Sequence, residues 1–405
     1  MPTALHNAAL EPALTTGEDP RSFAQVLHAV YDAAMAGEQL PARPRSVIGQ
    51  SWERAVDAGV DPDIGGPGDP ISAADLDERR STSGLAGLLG DLTNGLDAVV
   101  RDSPNILVVA DADGHVLWRA GSSAVRRRAD HLGFVEGASW AENAVGTNAI
   151  GTALASGRAV QVFSAEHFVR THHAWTCTGA PIHDPRTGGL LGAVDVSGPA
   201  ATIHPATIAL VDSVARLAQA RLQLDHRDRL DMLRAVAAPI LARASRPSLA
   251  VDEYGWVAAA DRMTPTRRIV LPDDVTPSRM RIADLGLCDV EPLPGGWLVR
   301  PTETTPHRGT TVTIGDGPDG RAVVTVRTSD GEWTHRATPR HRDLLVQLAA
   351  SPIGCSAAEL SSALFGDPTR TVTVRAEMSR LRKALGGLLA TGPYRFAPGV
   401  DVRVE

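Results

Sequence analysis

Apolar and polar residues alternate in two short runs after residue 104, NILVVADADGHVLWRAG, and Asp-Ala-Asp-Gly joins the runs. Alternation of this period is typical of β-strands, and glycine accepts the positive φ that a tight turn needs. The sequence therefore predicts a β-hairpin. The same reasoning predicts strands at 158–163, 173–182 and 188–198, and a short helix at 145–157 that ends at Gly157.

Between Pro205 and Ala238 the chain contains no further proline or glycine, and apolar residues recur close to helical spacing. This pattern predicts a helix of about 30 residues, about 45 Å long. Asp225 breaks the heptad pattern, so two alternatives stay open for the apolar face of this helix. It packs on its own domain, or it pairs with a second subunit, and we expect a homodimer.

The remaining patterns predict a β-rich region followed by helices. Residues 246–335 contain several alternating runs, including a hairpin that turns at 318–320, and they suggest a small PAS-like or sandwich-like module without identifiable chemistry. Thr338-Pro339 and a Ser356/Glu359 capping box begin two helices, and a basic third helix follows. PYRFAPGVDVRVE, with Pro398-Gly399 at its centre, predicts a final hairpin.

The distribution of charge distinguishes the C-terminal end from the rest of the chain. The whole chain has a formal net charge of −7, but residues 336–405 contain ten basic and six acidic residues. Such asymmetry favours a polyanionic partner for this end. No stretch reaches the roughly 18 apolar residues of a membrane span, and the three cysteines are far apart in sequence. We therefore expect a soluble cytoplasmic protein without a membrane partner.

One stretch, EGASWAENAVGTNAIGTAL at 136–154, is the most distinctive in the chain. With SWERAVDAGVDP at 51–62, EHF at 166–168 and WTCTGAPIHDPRTGGLLGAVDVSG at 175–198, it closely resembles the sensor region of acetoin-catabolism-type activators. The resemblance covers roughly residues 45–220. It implies a GAF domain, an antiparallel sheet flanked by helices, that senses a small molecule and controls transcription in bacteria.

Members of that family usually carry an ATPase after the sensor. A P-loop needs a lysine after glycine to reach the phosphates. The only lysine here, Lys383, has no GxxxxG before it. We therefore expect no ATPase, and direct DNA binding as the output.

The basic helix and the segment after it, VRAEMSRLRKALGG…GPYRF, resemble the recognition helix and wing of response-regulator-type winged helices. A helix fits the major groove, where arginine reads guanine, and neighbouring basic residues neutralise phosphate. The alternative is that these residues form only the solvated face of a surface helix. The residues that we expect to contact double-stranded DNA are Arg370, Arg375, Ser379, Arg380, Arg382, Lys383 and Arg395.

The Gly-rich helix start in the distinctive stretch offers exposed backbone and polar side chains for a ligand, with the sheet as the pocket floor. The alternative is that Gly146 and Gly151 serve tight helix–sheet packing. The expected contacts to an unidentified small molecule are Trp140, Asn143, Gly146, Thr147, Asn148, His167, Trp175 and Cys177.

A cluster of His167, His172, His173 and Cys177 raises the question of a metal or redox site. The spacing matches no zinc motif, and a strand would send His172 and His173 to opposite faces. We therefore expect no metal, no cofactor and no catalytic residues, with structural or ligand-lining roles for this cluster.

Together these patterns predict an α+β multidomain protein that binds DNA in response to a ligand and is not an enzyme. Two alternatives are a GAF-based scaffold that binds a protein partner, and a redox sensor centred on Cys177. The expected domains are an N-terminal helical segment (1–80), a GAF sensor (81–225), a helical linker (226–245), a β-rich intermediate module (246–335) and a C-terminal winged helix-turn-helix (336–405).

Overall fold

A computed structural model of the chain forms two compact units, the first ending at Asp225 and the second beginning at His226. The structure describes residues 10–263, 266–272, 274–282, 285–302, 310–316, 322–328, 331–368, 370–385, 388–390, 393–397 and 399–404.

Four helices precede the first sheet. Asp19 caps the first of them, and the hydroxyl of Ser72 caps the third by accepting a hydrogen bond from the backbone N–H of Asp75. The helices are α1 (Pro20–Ala36), α2 (Ser46–Asp57), α3 (Ala73–Thr82) and α4 (Leu89–Val100).

The first sheet has five antiparallel strands in the order β2-β1-β5-β4-β3. Its β1–β2 pair is the hairpin that the Asp-Ala-Asp-Gly turn predicts, so that prediction is confirmed, as are the three further strands. The strands are β1 (Ile106–Asp111), β2 (Val116–Ala120), β3 (Val160–Phe163), β4 (Trp175–His183) and β5 (Leu190–Pro199).

The helices between these strands are short, and a long one follows them. The predicted helix end at Gly157 is confirmed, and the long helix continues through Pro239 beyond its predicted end. Among the described residues, no helix combines the length and hydropathy that crossing a membrane requires. The helices are α5 (Ser123–Asp130), α6 (Glu142–Val145), α7 (Ala149–Ser156) and α8 (Ala206–Leu241).

Both faces of the first sheet are buried. One face shares a hydrophobic core with α1 and α2, where Tyr31 and Trp52 pack with Val108. The other face packs against α4 and α8 through Leu92 and Val211. The division that we expected at residue 80 therefore separates elements that share one core.

The second unit contains a five-stranded sheet in the order β7-β6-β10-β9-β8. Numbered from its own first strand, this order is 2-1-5-4-3, the same as in the first sheet. The last turns of α8 pack on it through Ala237 and Leu241, so part of the predicted linker belongs to a packed core. The strands are β6 (Ser248–Val251), β7 (Val257–Asp261), β8 (Ser278–Ile282), β9 (Gly286–Leu293) and β10 (Gly296–Pro301).

A third sheet and three helices form the rest of this unit. The sheet order is β13-β12-β11-β16, and its core includes all three helices. Thr338 and the Ser356/Glu359 capping box begin two of the helices as predicted. The elements are β11 (Thr310–Asp316), β12 (Ala322–Thr328), β13 (Gly331–Arg336), α9 (Pro339–Ala350), α10 (Ala357–Phe365), α11 (Thr371–Leu385), β14 (Leu389–Ala390), β15 (Arg395–Phe396) and β16 (Val400–Val404).

Two expectations about this region differ from the structure. The final hairpin is wrong, because β15 pairs with β14 whereas β16 pairs in parallel with β11. For the same reason, the boundary expected between residues 335 and 336 cuts through the unit that β11–β13 build with the helices. The β11–β12 hairpin itself is confirmed, although its turn at 318–320 lies outside the described residues.

Candidate functional site

The sheet face that packs against α1 and α2 also carries polar side chains in register. Val108 of β1 pairs with Arg119 of β2 on one side and with Asp195 of β5 on the other. In a neighbouring row, Ser197 of β5 pairs with Cys177 of β4. Because directly paired residues of a sheet point to the same side, these four polar side chains share one face.

The segment between β3 and β4 places two histidines on this face. The ring of His167 has Nδ1 3.0 Å from the carbonyl oxygen of Ser164 and Nε2 3.3 Å from Sγ of Cys177. The His172 ring lies 6.2 Å from that of His167 and 5.1 Å from that of Trp140. We call the resulting group the inner-face cluster: Arg119, Trp140, His167, His172, Cys177, Asp195 and Ser197.

Four members of the inner-face cluster have a buried polar atom without a hydrogen-bond partner among the described residues. These atoms are Nε of Arg119, Nε1 of Trp140, Nδ1 of His172 and Oδ1 of Asp195. An unpaired buried polar group costs about 1–3 kcal/mol, so such groups are rare unless water or a ligand completes them. Four such atoms on one sheet face make it the candidate position for bound water or a ligand.

Burial sets the protonation of this cluster. Desolvation, reinforced by neighbouring histidines, lowers the pKa of His167 to about 3 and that of His172 to about 4, so both rings are neutral at pH 7. Desolvation also raises the pKa of the Asp195 carboxyl to about 7, although the hydroxyl of Ser197, 2.5 Å away, and the backbone N–H of Thr178 act to lower it.

The same burial acts on Cys177. Desolvation, with a smaller contribution from Asp195, raises the pKa of its thiol well above the usual range. The thiolate is the reactive form of cysteine, and this environment disfavours it. The geometry therefore favours a packing or ligand-lining role for Cys177 over the redox alternative.

The Gly-rich helix start is engaged by the protein itself. The Asn148 side chain caps α7 by accepting from the N–H of Gly151, and its Nδ2 donates to the carbonyl oxygens of Trp140 and Gly146. A Cβ added at Gly146 would lie 2.5 Å from Cβ of Phe168. These contacts support the packing alternative for this segment.

The other expected ligand residues lie in three different environments. Thr147 is buried with its hydroxyl 2.6 Å from that of Ser51. Asn143 is exposed on α6 and is not part of the inner-face cluster. Trp175 is buried on the same side of β4 as Cys177, with the guanidinium of Arg128 5.8 Å from its ring.

Two buried glutamates attach the N-terminal helices to this region. Arg45 donates to both carboxylate oxygens of Glu166, at 2.8 and 2.7 Å. Arg54 likewise holds Glu142, whose Oε1 also accepts from Ser51. The carboxylates of Glu142, in the stretch 136–154, and Glu166, in the EHF segment, therefore act as anchors for α2 and the residue before it.

One group of side chains has the spacing of a cation site. Asp111, Asp113 and His115 lie close together in the β1–β2 turn. Asp111 accepts from the backbone N–H groups of Asp113 and His115, and Arg79 pairs with both carboxylates. These contacts belong to the β1–β2 turn itself, and they explain why the three side chains lie close together.

The C-terminal unit presents the expected DNA contacts on two elements. Val374, Met378, Leu381 and Leu385 of α11 are buried in the core. On the opposite side, Arg375, Ser379 and Arg382 are exposed, as are Arg370 and Arg380. The side chain of Lys383 lies outside the described residues.

Two of these arginines have partners nearby, and a third lies elsewhere. Arg380 pairs with Glu377 at 2.9 Å, and Arg370 lies 3.7 Å from Asp367. Arg395, in β15, lines a groove of about 460 Å³ between α9 and β16. The structure therefore brings Arg375, Ser379 and Arg382 together on one face but does not bring Arg395 to it.

Sequence reasoning missed three members of the inner-face cluster and did not commit to a fourth, His172. Asp195 and Ser197 lie two residues apart in the apolar strand GAVDVSG, and Arg119 is the fourth residue of the run VLWRA. Polar residues at strand spacing among buried neighbours are the signal that identifies them.

Comparison with known proteins finds similarity within the first unit. Residues 35–219 match the family described as MimR, N-terminal domain. The inner-face cluster lies wholly within this range.

Several relatives share part or most of the chain. An uncharacterized 47.3 kDa protein from the thcA 5' region of Rhodococcus erythropolis is 29% identical over 95% of this chain and 72% of its own length. The acetoin dehydrogenase operon transcriptional activator AcoR of Bacillus subtilis is 33% identical over 46% of this chain and 31% of its length. The propane 2-monooxygenase operon transcriptional activator MimR of Mycolicibacterium smegmatis is 29% identical over 47% and 33%.

Among solved structures, the Escherichia coli DhaR(N)–DhaL complex aligns at 17% identity with a TM-score of 0.43, covering 64% of this chain. The chain spans about a third of the length of AcoR and MimR. These two named relatives are transcriptional activators. Residues 35–219 are thus similar to the MimR N-terminal domain, and the two named activators match part of this chain.

Proposed function

We propose that this protein is a cytoplasmic transcription regulator in which a small molecule bound at the inner-face cluster changes DNA binding by the C-terminal domain. The observation that carries the sensing half is the set of four unpartnered buried polar atoms on one sheet face. The match of residues 35–219 to a domain found in operon regulators supports it.

We restrict the proposed ligand contacts to the inner-face cluster. Trp140, His167 and Cys177 belong to the inner-face cluster and stay in the proposal. Asn148 and Gly146 serve the start of α7, and Asn143 is exposed, so we assign these three no ligand contact. Arg119, His172, Asp195 and Ser197 take their place.

The DNA-binding half rests on α9, α10 and α11 with the short β14–β15 pair, the element order of a winged helix. Arg375, Ser379 and Arg382 form an exposed face of α11, opposite its buried face. Such a face can enter the major groove and reach base edges, with nearby arginines on phosphates. We propose this face as the recognition surface and place Arg395 outside it.

The experiment is fluorescence anisotropy of the full-length protein on DNA from its own upstream region, with competitor DNA and a salt series. We expect saturable binding that weakens as salt rises, because phosphate contacts release counterions. In Arg375→Ala/Arg382→Ala the affinity should fall at least tenfold.

The matched control is Arg327→Ala/Arg403→Ala, which removes the same charge from exposed positions outside α11. Equal losses in the two double variants would mean that only net charge matters, and would refute the recognition surface. No binding by the wild-type protein at low salt would make a protein-binding scaffold the better account of this domain.

A further inference from the structure

A groove of about 570 Å³ lies in the second unit, where α8 ends beside β10. All the charged residues that line it are arginines, and they come from two separate parts of the chain. Arg243 and Arg246 follow the end of α8, and Arg300 belongs to β10. The apolar part of the wall consists of Pro239, Ile240 and Ala244.

The sheet continues this groove with a row of charged residues. Asp289 of β9 pairs with Arg279 of β8 on one side and with Arg300 of β10 on the other. Directly paired residues point to the same side of a sheet, so the three side chains share one face. Leu298, two residues before Arg300, packs with Leu241 of α8, so this is the face on which α8 lies.

The carboxylate in the middle of this row is shared between two arginines. Its Oδ1 accepts a hydrogen bond of 2.9 Å from Nε of Arg279, and its Oδ2 lies 3.5 Å from a terminal nitrogen of Arg246. The hydrogen bond from Arg279, together with the positive charges of both arginines, lowers the pKa of Asp289, so this carboxylate is ionised at pH 7. One negative charge thus balances two positive ones.

The remaining arginines of the groove leave an excess of positive charge. Arg300 pairs with Glu291, whose side chain is half exposed, and Arg243 is exposed and forms no ion pair with any described residue. With Arg246 and Arg279, four guanidinium groups stand against two carboxylates. The carbonyl end of α8 offsets only about half a charge. The groove therefore lacks between one and two negative charges.

We propose that this groove binds a small organic phosphate, with the phosphoryl group held by Arg243, Arg246 and Arg300. Guanidinium groups match the geometry of phosphate oxygens, and a phosphate monoester carries nearly two negative charges at neutral pH. The carbon skeleton of the ligand lies against Pro239 and Ile240. The volume is in the range of small-molecule sites. This site is separate from the inner-face cluster and does not rest on the proposed function.

The phosphates of DNA are a different source of the same chemistry. Each phosphodiester carries only one negative charge and lies on the outside of a convex duplex. The arginines of this groove instead line a concave surface with an apolar wall. The geometry therefore favours the small phosphate.

The test is isothermal titration calorimetry on the full-length protein, at fixed ionic strength and in a buffer free of phosphate and sulfate. The probes are phenyl phosphate against phenyl sulfate, which differ in charge but hardly in shape, and glycerol phosphate against glycerol. We expect both phosphates to bind, phenyl sulfate to bind more weakly, and glycerol to give no measurable heat. The fixed ionic strength keeps screening equal between probes.

Two variants remove arginines from different sides of the groove. Arg243→Gln leaves no acid without its partner, so the fold should be unaffected and the affinity for phenyl phosphate should fall about tenfold through the loss of a charge-assisted hydrogen bond. Arg300→Gln should weaken binding from the sheet side. The control is Arg336→Gln, at an exposed arginine of β13 in the same unit, and it should bind as wild type.

Thermal unfolding gives an independent measurement. A ligand that binds only the folded chain raises the unfolding midpoint with its concentration. Phenyl phosphate should therefore raise the midpoint of wild type and of Arg336→Gln, but raise that of Arg243→Gln much less. The three midpoints should agree without ligand, which shows that the variants are folded.

Several results would overturn the proposal. These are failure of both phosphates to bind at millimolar concentration, equal affinity for phenyl phosphate and phenyl sulfate, and unchanged affinity in Arg243→Gln. A loss of DNA affinity in Arg243→Gln would also do so, because it would assign the groove to the DNA backbone. Absence of DNA binding by the wild-type protein would contradict only the proposed function, so the two failures are distinguishable.

Discussion

At the scale of single residues, the segments 136–154 and 166–168 contain both members of the inner-face cluster and residues that serve packing. His167 and Trp140 reach the inner-face cluster, whereas the glycines and Asn148 shape the backbone that holds them. The motif could be recognised from sequence, but the two roles could not be separated. To distinguish the two roles, one must know which face of the sheet each side chain contacts. Pairing between strands that are distant in sequence determines that face.

Gly146 provides a test of the packing role. Its φ of 69° is in the left-handed region, and a Cβ would press into the ring of Phe168, with Cδ1 and Cγ each 2.7 Å away. We expect Gly146→Ala to lower the free energy of unfolding by about 2–4 kcal/mol, measured by urea denaturation.

Gly157 is the matched control, since its φ of 67° is nearly the same but nothing lies within 4 Å of its Cβ position. Gly157→Ala should cost only about 1 kcal/mol, the backbone contribution alone. Equal losses at the two glycines would show that the contact with Phe168 is unimportant.

At the scale of elements, local signals were reliable and long-range pairing was not. The β1–β2 hairpin and the caps of α9 and α10 follow from turn and capping residues within a few positions, and all are found. The prediction of a final hairpin is wrong because the alternation of apolar and polar residues predicts that a strand forms but does not predict its pairing partner. The partner of β16 is β11, about 90 residues earlier.

The attachment of α1 and α2 to the segment that carries His167 was also invisible in the sequence. It depends on the Arg45–Glu166 ion pair, in which the arginine side chain is 14% and the glutamate 2% exposed. Trp52 and Tyr31 add hydrogen bonds to the carbonyl oxygens of Glu166 and Phe168. The N-terminal helices thereby hold this segment over the cluster.

Breaking this ion pair should be costly. Arg45→Met leaves the Glu166 carboxylate buried without its partner, and we expect a loss of about 3–5 kcal/mol in unfolding free energy by chemical denaturation. Glu166→Gln in the same chain should recover part of the loss, because it removes the unpaired charge. Arg101→Met, which breaks the exposed pair with Asp97, is the control and should leave stability unchanged.

At the scale of the whole molecule, the same strand order occurs in two sheets. Both begin with a hairpin turned by Asp-x-x-Gly, and in both the aspartate accepts hydrogen bonds from backbone N–H groups two and four residues later: Asp111 and Asp252. The sequence predicts strands in both regions but not their shared order within the sheet, because pairing between distant strands determines that order. The second sheet is thus built on the plan of the first.

The exposed side of α8 bears on oligomeric state. Leu217 and Leu224 are 62% and 55% exposed and are separated by one heptad. We propose that they pair with a second copy of the chain. Sedimentation equilibrium should then give a dimer for wild type and a monomer for Leu217→Glu/Leu224→Glu, while Gln223→Glu, at an exposed neighbour, should stay dimeric. A wild-type monomer at micromolar concentration would contradict this assignment.

The parallel pairing of β11 with β16 also has a consequence for the order of events during synthesis. The three helices lie between these strands in the chain, so a ribosome completes them before β16 emerges. Until then β11 has an open edge, the type of surface that joins strands of other molecules. A shortened chain ending at Ala397 would keep that edge permanently, and we expect it to aggregate even though every helix of the proposed recognition surface is present.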